Sequence, residues 1–489
     1  MVRWQRVSTS RIAKNQARAP RILIFTFKRV KKLLDKKIIA PSKRKNFKKN
    51  DWYLFYDPVN VRWIKVNEAG KEIILTIERF SLLQDVINSL KKRFKAKEET
   101  IIKFIEYLIN ANYLHIDSYK VREFNFGKAL YPSSLYIHPT YRCNLNCYYC
   151  YNLDDREKYS AEGFYDELTF EEYKKLLTEV KEIGIRNLVF TGGEPLLRKD
   201  IFSIAKFSKD FGFHNSLITN GTLITPSNAK KIVELFDHIS VSIDSYKEAE
   251  NDQMRGKGTY KRVINGIIIL KSFQGNVSCL GVAHKGNIDS LLDSRDFFIR
   301  KLGCNSFLPQ FFIPHNQNNS DYFSNENKEL KDLSGKYGTI RNEINKTMGV
   351  YRNIGLRNNC GMCSGELAVG ADGKVFPCQS LLKEEFCGGN VRRESLSKIL
   401  EDSAVFKEIR ALSVDKYELC SDCDFRYLCG GGCRAIQYGI FKDLKKTFPL
   451  FCKFNKEIII NSMFESAVIS SKDESQSEIN NEEYVPECF

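Results

Sequence analysis

No apolar run in this 489-residue chain approaches the roughly 20 residues needed to span a bilayer, so no transmembrane segment is expected. A secretory signal is missing too: the start is basic, but the apolar stretch at 22–27 is short and has no cleavage-type end. Histidine is scarce, six residues scattered without a ligand spacing, and none is assigned a role. Acidic residues are nearly absent from positions 1–50. Of 76 Lys and Arg, 17 lie there, against Asp35 alone among 60 acidic groups, which leaves 59 of each sign elsewhere. The net charge of +16 therefore belongs to a basic segment, and the neutral remainder carries no nucleic-acid footprint. Segments such as Lys43-Arg44-Lys45 are read as a solvated, disordered extension over 1–50. Its contact with an acidic peptide, a membrane surface or nucleic acid stays open, as does its origin in a wrongly chosen start codon.

Cysteine, by contrast, is plentiful. Fifteen of them in a long chain without an export signal read as metal ligands in a reducing cytoplasm. Cys143, Cys147 and Cys150 form a C-x3-C-x2-C loop with Tyr149 just before the last. Three thiolates can hold a four-iron cubane and leave one iron open to a substrate or cofactor. A zinc loop or a chance crowding is the alternative, although zinc normally needs a fourth nearby Cys or His and none follows closely.

This loop resembles that of the radical S-adenosylmethionine (radical SAM) enzymes, and Gly192-Gly193-Glu194-Pro195 resembles their GGE element. The resemblance implies an open iron that binds the amino and carboxylate groups of the cofactor's methionine part, with Gly192, Gly193 and Glu194 receiving the amine.

The length suggests two to four domains, and 43% hydrophobic content can support their cores. Order is expected from Asp51, with short strands at 52–56, 61–66 and 73–77 separated by turn signals at Asp57-Pro58 and Asn67-Glu68-Ala69-Gly70. Two helical patterns follow, one on Leu82, Leu83, Val86, Ile87, Leu90 and Phe94, the other on Ile101, Ile105, Leu108 and Ile109. Together, 51–120 make a winged-helix-like module that resembles the PqqD-like leader-recognition domain (RRE) of enzymes that modify ribosomally made peptides. There the leader adds as a strand at a sheet edge. A structural cap or a DNA-binding winged helix is the alternative, the latter disfavoured by neutral charge.

Strands at 135–139, 187–191, 214–219, 238–243, 276–283 and 306–313 alternate with helices such as 170–183, 226–236 and 260–273. This predicts an α/β fold, a partial (β/α)6 barrel over 130–314 with active groups at the carboxyl ends of its strands. The cysteine loop, Gly192-Gly193-Glu194, Thr219-Asn220-Gly221 and Ser242-Ile243-Asp244 then share one rim. Taken alone these are ordinary turns or helix caps. In the resembling family such positions, with an Arg after the fourth strand, contact the ribose or the methionine carboxylate, which implicates Asn220, Ser242, Asp244 and Arg255.

A polar linker with one helix near 327–333 is expected over 315–359. Beyond it, Gly373-x4-Cys378 and the C-x2-C-x5-C-x3-C run of Cys420, Cys423, Cys429 and Cys433, followed by Cys452, resemble the SPASM extension of peptide-maturing radical SAM enzymes. The resemblance implies two auxiliary [4Fe–4S] clusters over 360–456, one on Cys360, Cys363, Cys378 and Cys433, the other on Cys420, Cys423, Cys429 and Cys452. A pair of zinc ribbons is the alternative, and the close spacing of Cys360 and Cys363 leaves open that one is a bystander. Cys279 and Cys304 read as core residues, Cys387 as packing or near a cluster, and 457–489 as a mobile acidic tail.

The implied activity is that of an oxidoreductase using S-adenosyl-L-methionine and three [4Fe–4S] clusters. A 5′-deoxyadenosyl radical would start a thioether, carbon–carbon or ether cross-link in a precursor peptide, with an electron donor such as flavodoxin or ferredoxin. Sulfatase-maturing relatives typically carry Asp after the cysteine aligned with Cys378, where this chain has Gln379. Epimerisation or another residue oxidation is the enzymatic alternative, and a metal-binding peptide scaffold the non-enzymatic one.

Overall fold

The computed structural model describes residues 34–94, 97–126, 131–150, 166–311, 328–348 and 355–466. They divide into two compact units, one through Glu123 and one from Phe124 to Ser466.

In the first unit β1 (Ile38–Ile39) pairs antiparallel with β5 (His115–Ile116), and β2 (Lys45–Lys49), β3 (Trp52–Asp57) and β4 (Arg62–Val66) form an antiparallel meander. Helices α1 (Glu68–Ile77), α2 (Leu83–Phe94) and α3 (Glu98–Asn110) complete it. Phe55, Ile64, Ile74, Val86, Leu90, Ile105 and Leu108 share its core.

Two expectations are corrected here. Strand order reaches back to Ile38, so the disordered extension does not include 38–39 or 45–49; positions 1–33 lie outside the described residues. The segment 73–77 is helical, not a strand. Asn67 accepts from the Gly70 amide at 3.0 Å and so acts as a helix N-cap rather than as part of a turn. Burial of Gly70, Ile74 and Ile77 follows helical spacing, which overrides the strand preference of a β-branched run.

The second unit carries one nine-stranded sheet. Its strands are β6 (Ser134–Ile137), β7 (Asn187–Phe190), β8 (His214–Thr219), β9 (His238–Ser242), β10 (Val277–Ala283) and β11 (Ser306–Phe311), with β12 (Glu366–Val369), β13 (Lys374–Phe376) and β14 (Gly389–Asn390) added beyond β6. Strands β6 to β11 are parallel neighbours in chain order, as successive β-α units wound in one direction give, and they curl as a partial barrel. β12 pairs parallel with β6, and β13 and β14 follow antiparallel, so the cysteine-rich region continues the barrel's own sheet.

Among the intervening helices are α4 (Phe170–Glu182), whose Thr169–Glu172 capping box fixes its start, α5 (Ile201–Asp210), α6 (Pro226–Leu235), α7 (Glu248–Arg255) and α8 (Thr259–Ser272). Leu135, Ile137, Leu188, Phe190, Leu217, Ile239 and Val241 alternate along the strands into the core shared with Tyr173, Leu176, Ile204 and Ile267 of the helices. Tyr136 points the other way, into a second cluster with Tyr141, Ala368 and Phe376.

The linker expectation is also corrected. α9 (Lys328–Met348) is a 21-residue helix whose Tyr337 and Arg341 donate to the Pro309 carbonyl at 2.8 and 2.6 Å. After it come α10 (Leu396–Asp402), α11 (Ala404–Arg410), the single turn α12 (Arg426–Cys429), α13 (Arg434–Phe441) and α14 (Pro449–Ser466). α14 buries Ile459, Met463 and Phe464, so the expected tail does not begin at 457; positions 467–489 lie outside the described residues. No helix among the described residues is long and apolar enough to cross a membrane.

Candidate metal and cofactor site

The loop carrying Cys143, Cys147 and Cys150 follows β6, and all three sulfurs are close enough to interact electrostatically. Burial pushes the Cys147 thiol up to about 11, against the opposing pull of the Arg255 guanidinium. Two contacts shape the loop from outside. Tyr148 donates its amide to the Met254 carbonyl at 2.9 Å, and Arg198 donates to the Pro139 and Leu168 carbonyls at 2.9 and 2.6 Å.

Gly192 and Gly193 lie against that loop. The Gly193 amide donates to Thr140 and the Glu194 amide to Arg142, at 2.9 and 2.8 Å. A β-carbon on Gly193 would stand 2.1 Å from the Arg142 carbonyl oxygen, and one on Gly192, whose φ is +115°, would stand 2.7 Å from that of Thr140. Only glycine allows the two rim segments to touch.

Glu194 is fully buried. Its carboxylate accepts from Thr219 Oγ1 at 2.7 Å, from the Asn220 amide at 2.7 Å and from the Leu196 amide at 3.1 Å. Burial pushes it up to about 7 despite these donors, and among the described residues no cation pairs with it. A buried carboxylate that is hydrogen-bonded but has no counter-charge suits an ammonium group.

Asn220 donates to Cys143 Sγ at 3.8 Å and to Asn144 at 2.8 Å, tying the end of β8 to the cysteine loop. Ser242 closes β9. Asp244, just beyond it, accepts from Arg255 Nε and Nη2 at 2.8 Å each, from the Val282 amide at 2.9 Å and from the Tyr149 hydroxyl. Burial opposes charge on Arg255, but Asp244 and Tyr149 outweigh it and raise its pKa. Tyr149 is likewise held well above its ordinary value, by burial first and then by Asp244. Thus Gly192, Gly193, Glu194, Asn220, Asp244 and Arg255 gather around one loop, while Ser242 is placed only at the end of β9. Sequence reasoning missed Thr219 as a donor to Glu194, which joins the ends of two strands, and Asp244 as an anchor for Arg255, which joins the end of β9 to the last turn of α7.

The second cysteine system separates into two groups. Cys378 lies in electrostatic contact with Cys360 and Cys433, and Cys433 with Cys360. Cys420 is in contact with Cys423 and Cys429, and Cys452 with all three. Gly430, Gly431 and Gly432, all with positive φ between +69° and +80°, reverse the chain between Cys429 and Cys433 and deliver the two thiols to different groups. Burial raises Cys360 and Cys378 and lifts Cys452 to about 12.

Arg434, fully buried, donates to the Leu444 and Lys446 carbonyls at 3.1 and 3.0 Å and presents its charge to Cys360 and Cys420, one from each group. Cys363 lies within electrostatic range of Cys360 and Arg410 and shares a buried core with Cys378, and burial lifts it to about 12. Glu366, which no motif singled out, is half-buried within electrostatic range of Cys360, Cys378 and Cys433, and desolvation lifts its carboxyl to about 7. Among the described residues no three His, Cys, Asp or Glu side chains close on one ion-sized centre. Wider thiol groups suit a cluster, whose own body separates its ligands. Cys279 and Cys304 are buried with their sulfurs 3.6 Å apart, and Cys387 packs with its sulfur 3.4 Å from the Gly389 carbonyl. Cys488 lies outside the described residues.

Residues 137–298 match the model of the radical SAM superfamily, and residues 360–424 match that of an iron–sulfur cluster-binding domain, SPASM. An AdoMet-dependent heme synthase of Methanosarcina barkeri is 30% identical over 336 residues, which are 63% of this chain and 92% of that protein. A PqqA peptide cyclase of Bradyrhizobium diazoefficiens is 26% identical over 65% of this chain and 85% of its own length. The crystal structure of Streptococcus suis SuiB bound to precursor peptide SuiA shares the fold, with a TM-score of 0.52 at 16% identity over 83% of this chain and 99% of that one. With both models matched in order and nearly the whole of a 30%-identical relative covered, this chain belongs to the radical SAM superfamily and carries a SPASM domain.

Proposed function

We propose that this chain is a peptide maturase that installs an oxidative side-chain cross-link, a thioether, carbon–carbon or ether bond, in a ribosomally made precursor peptide. The observation that carries the reading is the pair of separate cysteine groups in a region whose strand β12 joins the barrel's sheet beside β6. Auxiliary redox centres attached to the barrel suit a reaction in which the substrate loses electrons as well as hydrogen.

Cys143, Cys147 and Cys150 hold the first cluster, and Cys420, Cys423, Cys429 and Cys452 hold one auxiliary cluster. Cys360, Cys378 and Cys433 supply the other, for which the family pattern offers Cys363 as the fourth ligand. When bound, the first cluster and S-adenosylmethionine supply a 5′-deoxyadenosyl radical. The chain's own residues bind and orient. Glu194 receives the cofactor's ammonium, Gly192 and Gly193 allow its close approach, and Asn220, Ser242 and the Asp244–Arg255–Tyr149 set shape the rim around it. The β2–β3–β4 meander of the first unit suits recognition of a leader peptide that adds to it as a further strand. A flavodoxin or ferredoxin supplies electrons, in the cytoplasm.

Gln379 follows Cys378 and cannot act as a carboxylate base, which weighs against formylglycine formation. The 30% identity to a heme synthase favours, as a second reading, a substrate that is not a peptide. One experiment separates the readings. The anaerobically reconstituted chain is incubated with S-adenosylmethionine, reductant and the product of a short reading frame adjacent to its gene. Each cross-link formed by loss of two hydrogens lowers the peptide mass by about 2 Da. An unchanged mass with altered stereochemistry gives epimerisation, and deoxyadenosine without any peptide change rejects the peptide substrate.

A further inference from the structure

We propose that Arg434 is the fixed counter-charge of both auxiliary clusters and holds their reduction potentials up, so that they accept an electron from the substrate. The inference rests on the reading that the two cysteine groups bind clusters, and concerns what this one side chain does to them.

Arg434 is fully buried, yet its guanidinium donates only to carbonyls. Nη1 reaches Leu444 and Lys446 at 3.1 and 3.0 Å, Nε reaches Gly432 at 3.5 Å, and Nη2 bonds Gly431. The ring of Tyr417 covers it, with the guanidinium carbon 4.4 Å from the ring centre. Carbonyl dipoles satisfy the N–H groups but bring no net charge. Two other buried arginines have an acid beside them, Arg198 with Asp200 at 2.7 Å and Arg255 with Asp244 at 2.8 Å. Among the described residues no carboxylate stands within ion-pair distance of Arg434. A buried charge without an opposite charge is costly, so an anion is what completes this site.

The place of that anion follows from what encloses the guanidinium. Gly431 and Gly432 form the turn that ends at Cys433, and Arg434 follows Cys433 directly. The same turn touches the chain beside Cys360, since a β-carbon on Gly430 would stand 2.4 Å from the Asn359 carbonyl oxygen. On the other side lies the second group. The Cys420 amide donates to the Tyr417 carbonyl at 3.1 Å, and the Cys420 sulfur is 3.7 Å from Thr447 Oγ1, one residue past the Lys446 carbonyl that Arg434 bonds. The guanidinium is thus held between the segments that carry Cys360 and Cys433 and the segment that carries Cys420.

A four-iron cluster on thiolates is negative, and reduction adds one more negative charge. A cation fixed beside it favours the reduced form, and at full burial little solvent screens the effect. One cation between two clusters raises both potentials.

The test uses the full chain, reconstituted anaerobically with iron and sulfide, as wild type, Arg434→Lys, Arg434→Gln and Arg434→Met. Iron is counted per chain, and electron paramagnetic resonance spectra are recorded through a mediated redox titration. Wild type should hold about twelve irons. Gln and Met remove the charge and should move both auxiliary midpoints to more negative potential, leaving the cluster on Cys143, Cys147 and Cys150 unchanged. Lys keeps the charge and should stay near wild type. If the neutral side chains instead cost the chain its auxiliary clusters, about eight irons, the same cause requires that Lys retain them. Wild-type potentials in a neutral variant that keeps its iron overturn the proposal, as does a shift confined to one auxiliary cluster. So does a Lys variant that shifts, or loses iron, as far as Gln and Met, because hydrogen bonds rather than charge are then the cause. Failure of the underlying cluster reading shows elsewhere, in a wild-type chain that takes up no more than about four irons, and overturns this assignment with it.

Discussion

Arg255 grips Asp244 through both Nε and Nη2, at 2.8 Å each, in a pair almost wholly closed to solvent. The planar fork of arginine is what fits a carboxylate this way. Because Asp244 also accepts from Tyr149 and from the Val282 amide, one carboxylate joins the cysteine loop, the end of β9 and the end of β10. Breaking a buried pair from one side leaves an uncompensated charge and costs about 3–5 kcal/mol. Asp244→Asn should therefore lower the melting temperature more than the double substitution Asp244→Asn, Arg255→Met, which removes both charges. Thermal melts of the four members of the cycle check this.

Gly193 is where two rim segments touch backbone to backbone. Its added β-carbon would meet the Arg142 and Tyr141 carbonyl oxygens at 2.1 and 2.6 Å, and neither can swing aside as a side chain would. In Gly193→Ala the cysteine loop must move while the two distant cysteine groups are untouched. The expected outcome is a loss of about four irons of about twelve, with the auxiliary signals preserved. Iron analysis with paramagnetic resonance reads it directly.

Cofactor binding should depend on pH through Glu194. Burial holds this carboxyl up at about 7, well above an unfolded glutamate, so in the ligand-free protein it keeps its proton below that value. Pairing with an ammonium requires the ionised form, so binding releases a proton wherever the carboxyl was neutral. Affinity for S-adenosylmethionine should rise with pH, by up to about tenfold per unit below 7, and level off above it. The stability of the ligand-free chain runs the other way. A folded pKa raised above the unfolded one stabilises below about pH 4.5 and is lost as pH rises through about 7. Glu194→Gln should flatten both trends and weaken binding. Equilibrium titrations at pH 6, 7 and 8 separate these outcomes.

The barrel was legible in the sequence because its signals are local. His214–Thr219 and the start of β7 at Asn187 fall where β-rich runs predict them, and helices such as α4 and α6 announce themselves by period and cap. Once β-α alternation is seen, the carboxyl-end rim follows from topology alone. What the sequence hid is non-local or competes with a local preference. Ile73–Ile74 look like strand residues until Asn67 is seen to cap a helix. The polar surface of α9 disguised a 21-residue helix as a linker, since among its described side chains Leu333, Tyr337 and Ile344, with Ile340 partly buried, mark the side turned to the core. The pairing of β12 with β6 joins residues more than two hundred positions apart, and no spacing rule foretells it.

The three glycines between Cys429 and Cys433 allow a graded test of how the two auxiliary groups are kept apart. All three have positive φ, so a side chain at any of them costs roughly 1 kcal/mol in backbone strain. They differ in what surrounds them. A β-carbon on Gly431 would lie 2.7 and 2.8 Å from the ring of Tyr417, which is itself only 1% exposed and has no room to withdraw, whereas one on Gly432 meets only the Asn455 amide nitrogen at 3.3 Å. Gly432→Ala should therefore keep both auxiliary signals and lose only about 1 kcal/mol of stability. Gly431→Ala must displace the turn, and with it the directions of Cys429 and Cys433, which serve different groups. Its expected loss is of both auxiliary clusters together, about eight irons, while the signal of the cluster on Cys143, Cys147 and Cys150 persists. Loss of one auxiliary signal alone in Gly431→Ala would show that the turn does not couple the two groups.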